Sequence, residues 1–351
     1  MAVLKFLLLA IPVSILLRLT HVSPVLVFLA SGLSIIPLAG FMSRATEEIA
    51  IYIGPRAGGL LNATFGNAAE LIISIFALRA GLEQVVKASI TGSIIGNILL
   101  VLGMSMLLGG IKHKEQTFNR AAAGMHTSML LMAVTGLIIP AVFFGFHSGP
   151  PLLAAAESLS LGVAAVLIVV YLLSLLFSLH THKDIFRPSE TEPEDPSWSK
   201  GKALLVLLTA TIFLALESEL LVSGIEPVVN TLGINELFIG VIVIPLLGNA
   251  AEYAASAMMA VKNKMEISIE IAVGASTQIA LFMAPVLVFV SFLMGRPLDL
   301  LFTGYELVVI IMGMVITGMM SLDGRSNWLE GVYLVSAYVI MAMAFLFVGT
   351  V

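Results

Sequence analysis

The chain has 351 residues, of which 59% are hydrophobic and 11% charged, with a formal net charge of −5 and a mean hydropathy of +1.07. A soluble domain carries about 25% charged residues, so this composition excludes an ordinary soluble enzyme, and with it disorder, collagen and coiled coil. The runs are apolar throughout rather than alternating, which excludes a transmembrane barrel and leaves an all-α polytopic membrane protein. Cysteine is absent, which removes disulfides, thiol catalysis and thiolate metal ligation.

A membrane span needs about 20 apolar residues. Breaking the chain at turn residues and charges predicts eleven transmembrane helices, at 3–19, 24–43, 58–80, 87–109, 119–143, 157–179, 202–225, 237–261, 267–293, 301–321 and 328–349. The first is short and contains Pro12 and Arg18. It reads as a retained span, since no small-residue cleavage site follows it. The expected organisation is an N-terminal transmembrane helix over 1–20, a first block of five spans over 21–180, a linker over 181–201 and a second block of five over 202–351.

If the N-terminus and every loop after an even-numbered span share one side, that side holds all of the 17 Lys and Arg except Arg18, Arg79, Lys87 and Arg296. Basic residues favour the cytoplasm, so the N-terminus is expected inside and the C-terminus outside. The polar stretch from His180 to Lys202 carries Pro188, Pro193 and Pro196 among Asp184, Glu190, Glu192, Glu194 and Asp195. It reads as an acidic, solvated cytoplasmic linker, too rich in proline for a long regular helix.

The blocks on either side of it repeat. Gly66-Asn67-Ala68-Ala69-Glu70 recurs letter for letter as Gly248-Asn249-Ala250-Ala251-Glu252, an offset of 182 at which Ser74 also matches Ser256 and Gly92 matches Gly274. Five spans to a block is an odd number, so the two copies are expected to run in opposite directions through the membrane. Inverted-topology repeats of this kind are an architecture of secondary transporters.

Glu70 and Glu252 fall well inside apolar spans, where a carboxylate is costly and is a functional candidate by default. No intramembrane Lys or Arg near either motif offers itself as a partner. Such a pair binds protons or a cation. Burial favours the protonated acid and a bound cation the ionised one, so the two compete. Asn67 and Asn249 add amide oxygens. Gly66 and Gly248, the latter just after Pro245, favour opened helices whose carbonyls face a cavity. An all-oxygen donor set suits a hard cation, and Ca²⁺ tolerates loose geometry better than Mg²⁺. Ser93, Asn97, Ser276, Thr277 and Gln278, on the fourth and ninth spans, are expected to border the site. Glu48, Glu217, Glu219, Glu226 and His126 are candidates for an entrance or a proton relay, with Glu217 and Glu219 the deeper pair. Glu157, Glu270 and Glu306 read as span ends.

Two segments carry a resemblance. NATFGNAAELIISIFALRAG at 62–81 and GNAAEYAASAMMAVKNKMEISIEIAVGASTQIALF at 248–282 resemble the two signatures of the Ca²⁺/H⁺ exchanger (CAX) family, within the Ca²⁺/cation antiporter superfamily. The likeness covers essentially the whole chain, and the short N-terminus is like that of bacterial members. The acidic loop departs from the family pattern in being short and proline-broken. The resemblance implies that Glu70 and Glu252 exchange Ca²⁺ and H⁺, with Asn67 and Asn249 as motif partners and Gln278 as the second-repeat glutamine.

The expected function is export of cytosolic Ca²⁺ in exchange for H⁺ by alternating access at a midplane glutamate site in a bacterial plasma membrane. The alternatives are another ion pair (Na⁺/Ca²⁺ or Na⁺/H⁺), a cation channel, or an intramembrane enzyme, for which no HExxH pair or GxSxG elbow is present. No cofactor and no nucleic-acid partner are expected, lipid surrounds the chain, and a homo-oligomer is left open.

Overall fold

The structure is a computed structural model that describes residues 6–145, 152–182 and 195–348. The acidic run of the linker, Asp184 to Glu194, lies outside the described residues. In chain order the helices are α1 Ala10–Leu19, α2 Pro24–Ile53, α3 Pro55–Phe65, α4 Ala68–Ala80, α5 Glu83–His113, α6 Arg120–Gly145 and α7 Leu152–Leu176. There follow α8 Lys200–Ser223, α9 Ile225–Leu232, α10 Glu236–Gly248, α11 Ala250–Val261, α12 Met265–Leu293, α13 Gly304–Met320 and α14 Trp328–Phe347. Two short strands, β1 Glu115–Thr117 and β2 Arg325–Asn327, pair antiparallel with Gln116 opposite Ser326.

Among the described residues, 7 helices are long and apolar enough to cross a membrane, or 8 if the bent pair α10 and α11 counts as one span. The difference from eleven has a local cause at each place. The segment predicted at 3–19 holds the 10-residue α1, and that at 301–321 holds the 17-residue α13. The segment at 58–80 is divided into α3 and α4, because the helix opens at Asn67 (φ −101°, ψ 27°). Asn249 opens the chain in the same way (φ −96°, ψ 7°), where α10 and α11 bend by 61°.

Local chemistry sets these boundaries. Pro24 and Pro55 take first-turn positions, where the missing N–H costs nothing. Asn235 caps α10 by accepting from the Phe238 N–H at 2.7 Å, and Thr303 with Glu306 forms a capping box on α13. Gly81 ends α4 in the left-handed region, at φ 80°. The repeat also appears in the boundaries: Ala68 and Ala250 both open helices, as do Glu83 and Met265, and each pair is 182 residues apart.

The chain folds as two compact units, and each draws on both halves of the sequence: Met1–Ser89, Ser189–Ala251 and Leu346–Val351 in one, Ile90–Pro188 and Glu252–Phe345 in the other. In the first, α2 packs along α8, with α1 and α4 against that pair. Glycines permit the close approaches. A Cβ on Gly32 would meet the Leu247 side chain at 3.0 Å, and one on Gly240 would meet the Val85 carbonyl at 2.9 Å. Trp198 joins Ala45 and Ala203 in a small core at one end of this unit, with Arg44 and Lys202 each 4.8 Å from its ring.

In the second unit α12 packs on α6, α6 on α7, and α13 on α6. A Cβ on Gly331 would run into the Leu107 backbone N, so α14 and the last part of α5 touch backbone to backbone. The strand pair closes one end through Gln116, whose amide donates to the Ala260 carbonyl (2.8 Å) and to Asn263 (2.9 Å).

Candidate functional site

In the first unit the helix break at Gly66–Asn67 places Glu70 in the first turn of α4, where only 1% of it is exposed. The carboxyl meets the other copy of the motif there. A Cβ on Gly248 would lie 3.0 Å from Glu70 Oε1 and 3.1 Å from its Cδ. A side chain at that point would press on the carboxyl, which would have to give by a few tenths of an ångström. Asn249 follows, 1% exposed, and its amide donates back to the Pro245 carbonyl at 3.1 Å. Pro245 has no N–H of its own, so the backbone upstream of the motif also loses one helical hydrogen bond. Asn67 is buried beside Glu70.

Two oxygens in this cluster stand out. Glu70 Oε1 and Ser74 Oγ are buried and have no hydrogen-bond partner among the described residues, and Glu70 makes no ion pair among them either. Ser74 follows Glu70 by four positions, so the two lie on one face of α4. Leaving a buried acceptor unmade costs about 1–3 kcal/mol, more when it is charged. A bound cation, proton or water relieves that cost.

In the second unit Glu252 occupies the first turn of α11 and is half-buried. Tyr253 follows it, and its hydroxyl lies 2.8 Å from where a Cβ on Gly96 would stand. Asn97 is the next residue of α5, 1% exposed, and neither its Oδ1 nor its Nδ2 has a partner among the described residues. Ser276 ties α12 to α5 by donating toward the Ile94 carbonyl at 3.2 Å, beside its bond to Ala272 at 3.0 Å. Thr277 returns its hydroxyl to Val273 at 2.8 Å. Ser93 is buried and Gln278 half-buried.

Both α5 and α12 relax here into single π-helical turns, Gly96–Val101 and Ile279–Met283. Shifting the first by 182 residues brings it onto the second to within one residue. π-turns in α-helices concentrate at functional sites. Neither the π-turns nor Tyr253 was foreseen from the sequence; the amides Asn97 and Gln278 at near-equivalent repeat positions were the available signal.

The relay candidates have separate surroundings. Glu48 accepts from the Trp198 N–H at 3.0 Å and faces Arg44 at 3.9 Å, so it anchors the chain entering α8. Glu217 is wholly buried and bonded to Ser14 at 2.7 Å. Glu219, expected to be deep like Glu217, is exposed. Two residues along a helix turn the side chain by roughly 200°, so the two glutamates cannot share a face. Glu226 is exposed. His126 lines a small cavity with Asn119, Glu266 and Glu270. Glu306 is spent on its capping box, with Thr91 at 3.3 Å from its other oxygen.

Comparison with known proteins adds a family context. The sequence profile of the sodium/calcium exchanger protein family matches residues 23–180 and again 202–347. The chain is 46% identical over 356 residues to a Ca²⁺/H⁺ antiporter of Aphanothece halophytica, covering 97% of this chain and 95% of that one. It is 45% identical over 341 residues to the Ca²⁺/H⁺ antiporter ChaA of Bacillus subtilis strain 168, covering 95% and 96%. The solved structure of native YfkE matches with a TM-score of 0.86 at 42% identity, over 98% of this chain and 99% of that one. The H⁺/Ca²⁺ exchanger CAX shares the fold, with a TM-score of 0.75 at 17% identity, over 99% and 93%.

Proposed function

Because the chain belongs to the sodium/calcium exchanger protein family, we propose that it is a Ca²⁺/H⁺ antiporter that exports cytosolic Ca²⁺ across a bacterial plasma membrane. The observation that carries this reading is the buried Glu70 carboxyl, with an oxygen unpartnered among the described residues and the backbone of the second motif pressed against it at Gly248. The two antiporters at 46% and 45% identity support the ion pair.

In the proposed cycle, Ca²⁺ binds from the cytoplasm to the deprotonated glutamates of the repeated motif, Glu70 and Glu252. Asn67 and Asn249 lie beside them, with Asn97, Ser93, Ser276, Thr277 and Gln278 lining the second tier. Gly66 and Gly248 open the backbone there. The site then faces outward, protons displace the cation, and the neutral, doubly protonated site returns. An empty site carrying two charges does not cross, because charge in a low-dielectric medium is expensive. That single prohibition makes exchange obligatory. No cofactor takes part, and no covalent chemistry is involved.

The arrangement that fits this cycle is one N-terminal span followed by two inverted five-span repeats, eleven spans in all. The N-terminus is then cytoplasmic and the C-terminus external. Binding tests the chemistry directly. Ca²⁺ titrated calorimetrically into the purified protein in buffers of different ionisation enthalpy should release protons, and Glu70→Gln should abolish the Ca²⁺ heat. Unchanged Ca²⁺ binding in Glu70→Gln would contradict the shared-site scheme.

A further inference from the structure

A second buried carboxyl lies in the first unit, outside the motif. Glu217 on α8, Ser14 on α1 and Ser34 on α2 are each 0% exposed and come together where three helices meet. Ser14 Oγ is 2.7 Å from Glu217 Oε1 and also 2.8 Å from the Ile11 carbonyl of its own helix. Ser34 gives its hydroxyl to the Ala30 carbonyl at 2.9 Å, and the same oxygen faces Glu217.

Proton counting fixes the chemistry. A serine hydroxyl owns one proton. Ser14 has two short acceptor neighbours for that proton, the Ile11 carbonyl at 2.8 Å and Glu217 Oε1 at 2.7 Å, and the Ser34 hydroxyl is given to Ala30. Each of the two Ser14 contacts has a proton of its own only when Glu217 brings one. An ionised carboxylate would have to share the Ser14 proton with a backbone carbonyl. It would also have no cation, for among the described residues none comes within 4.0 Å of Glu217. The charged residues on the surrounding helices are elsewhere: Arg18, Glu47 and Glu219 are exposed, Arg44 and Glu48 are taken up around Trp198, Lys200 and Lys202 begin α8, and Glu226 is exposed. Glu70 and Arg79 stand on α4. The second oxygen, Oε2, has no partner among the described residues, which a neutral carbonyl oxygen tolerates far better than an anionic one.

We infer that Glu217 is held as a carboxylic acid that donates its proton to Ser14, a positioning residue that clasps the N-terminal helix onto the first helix of each repeat. The three helices then move as one body, and this proton is structural rather than exchanged. The inference stands independently of the ion pair assigned to the protein.

Infrared difference spectroscopy of the full-length protein in lipid tests it. The expected result is a protonated-carboxyl C=O band at neutral pH that disappears in Glu217→Gln and moves to higher frequency in Ser14→Ala, where the hydrogen bond is lost. Protonated-carboxyl intensity that is undiminished in Glu217→Gln would mean that Glu217 is ionised and would overturn the inference. A band lost in Glu217→Gln but unmoved in Ser14→Ala would leave an acid without a clasp and would overturn it equally. Thermal unfolding gives an independent readout: Glu217→Gln, whose amide still donates, should melt close to the parent, whereas Glu217→Leu should melt well below it. Equal melting of the two variants would also contradict the clasp.

Discussion

Glu70 and Gly248 are tied together by one short distance, and that distance makes two predictions. Replacing Glu70 by Gln removes the charge proposed to hold the cation, so Ca²⁺ transport should fall to the level of empty liposomes while the fold survives. Gly248→Ala places a methyl 3.0 Å from Glu70 Oε1 and should impair transport with the carboxyl still present. Gly274→Ala is the control, since a Cβ there meets nothing within 4 Å. It should leave Ca²⁺ binding intact and add up to about 1 kcal/mol of helix stability. Ca²⁺ uptake with these three proteins checks all of them, and a normal rate in Gly248→Ala would show that the contact is dispensable. At this scale the motif glutamates were legible in the sequence, because an identical pentapeptide at matching positions needs no structure to be seen. Ser14 and Glu217, separated by 203 residues, were not legible as a pair. Periodicity says which face of a helix a residue occupies but not which distant helix meets it. Glu219 was misplaced because apolar surroundings in sequence say little about which side of α8 faces inward.

Helix breaks and π-turns mark the candidate site at the scale of elements. Both Asn67 and Asn249 open the backbone three residues before a glutamate, and the π-turns take in Asn97 and begin just after Gln278. The breaks were readable from glycine, asparagine and proline. The π-turns were not, because one extra residue in a helical turn leaves no compositional trace. Trp198 is the element-scale surprise. It is 9% exposed and lies between Arg44 and Lys202, while Tyr52 donates to its carbonyl at 2.7 Å. A polar linker hid this anchor from hydropathy. Trp198→Ala should cost about 3–5 kcal/mol and lower the melting temperature in detergent, with Ca²⁺ binding retained below that temperature. Unchanged melting would remove the anchor from the account.

The whole molecule brings the repeat and the fold together in an unforeseen way. The sequence divides at the linker, but the compact units do not: each takes helices from both halves. Hydropathy located nearly every apolar helix and could not supply this exchange, which depends on contacts between segments far apart in the chain. Within the first unit it brings Gly248 of the second motif against Glu70 of the first. These contacts belong to a chain that couples Ca²⁺ to protons. The direct test is Ca²⁺ uptake into inside-out vesicles or proteoliposomes under an imposed pH gradient, with and without Na⁺. The account predicts uptake that collapses when a protonophore dissipates the gradient and that ignores Na⁺. Uptake that survives the protonophore, or that requires a Na⁺ gradient, would contradict it.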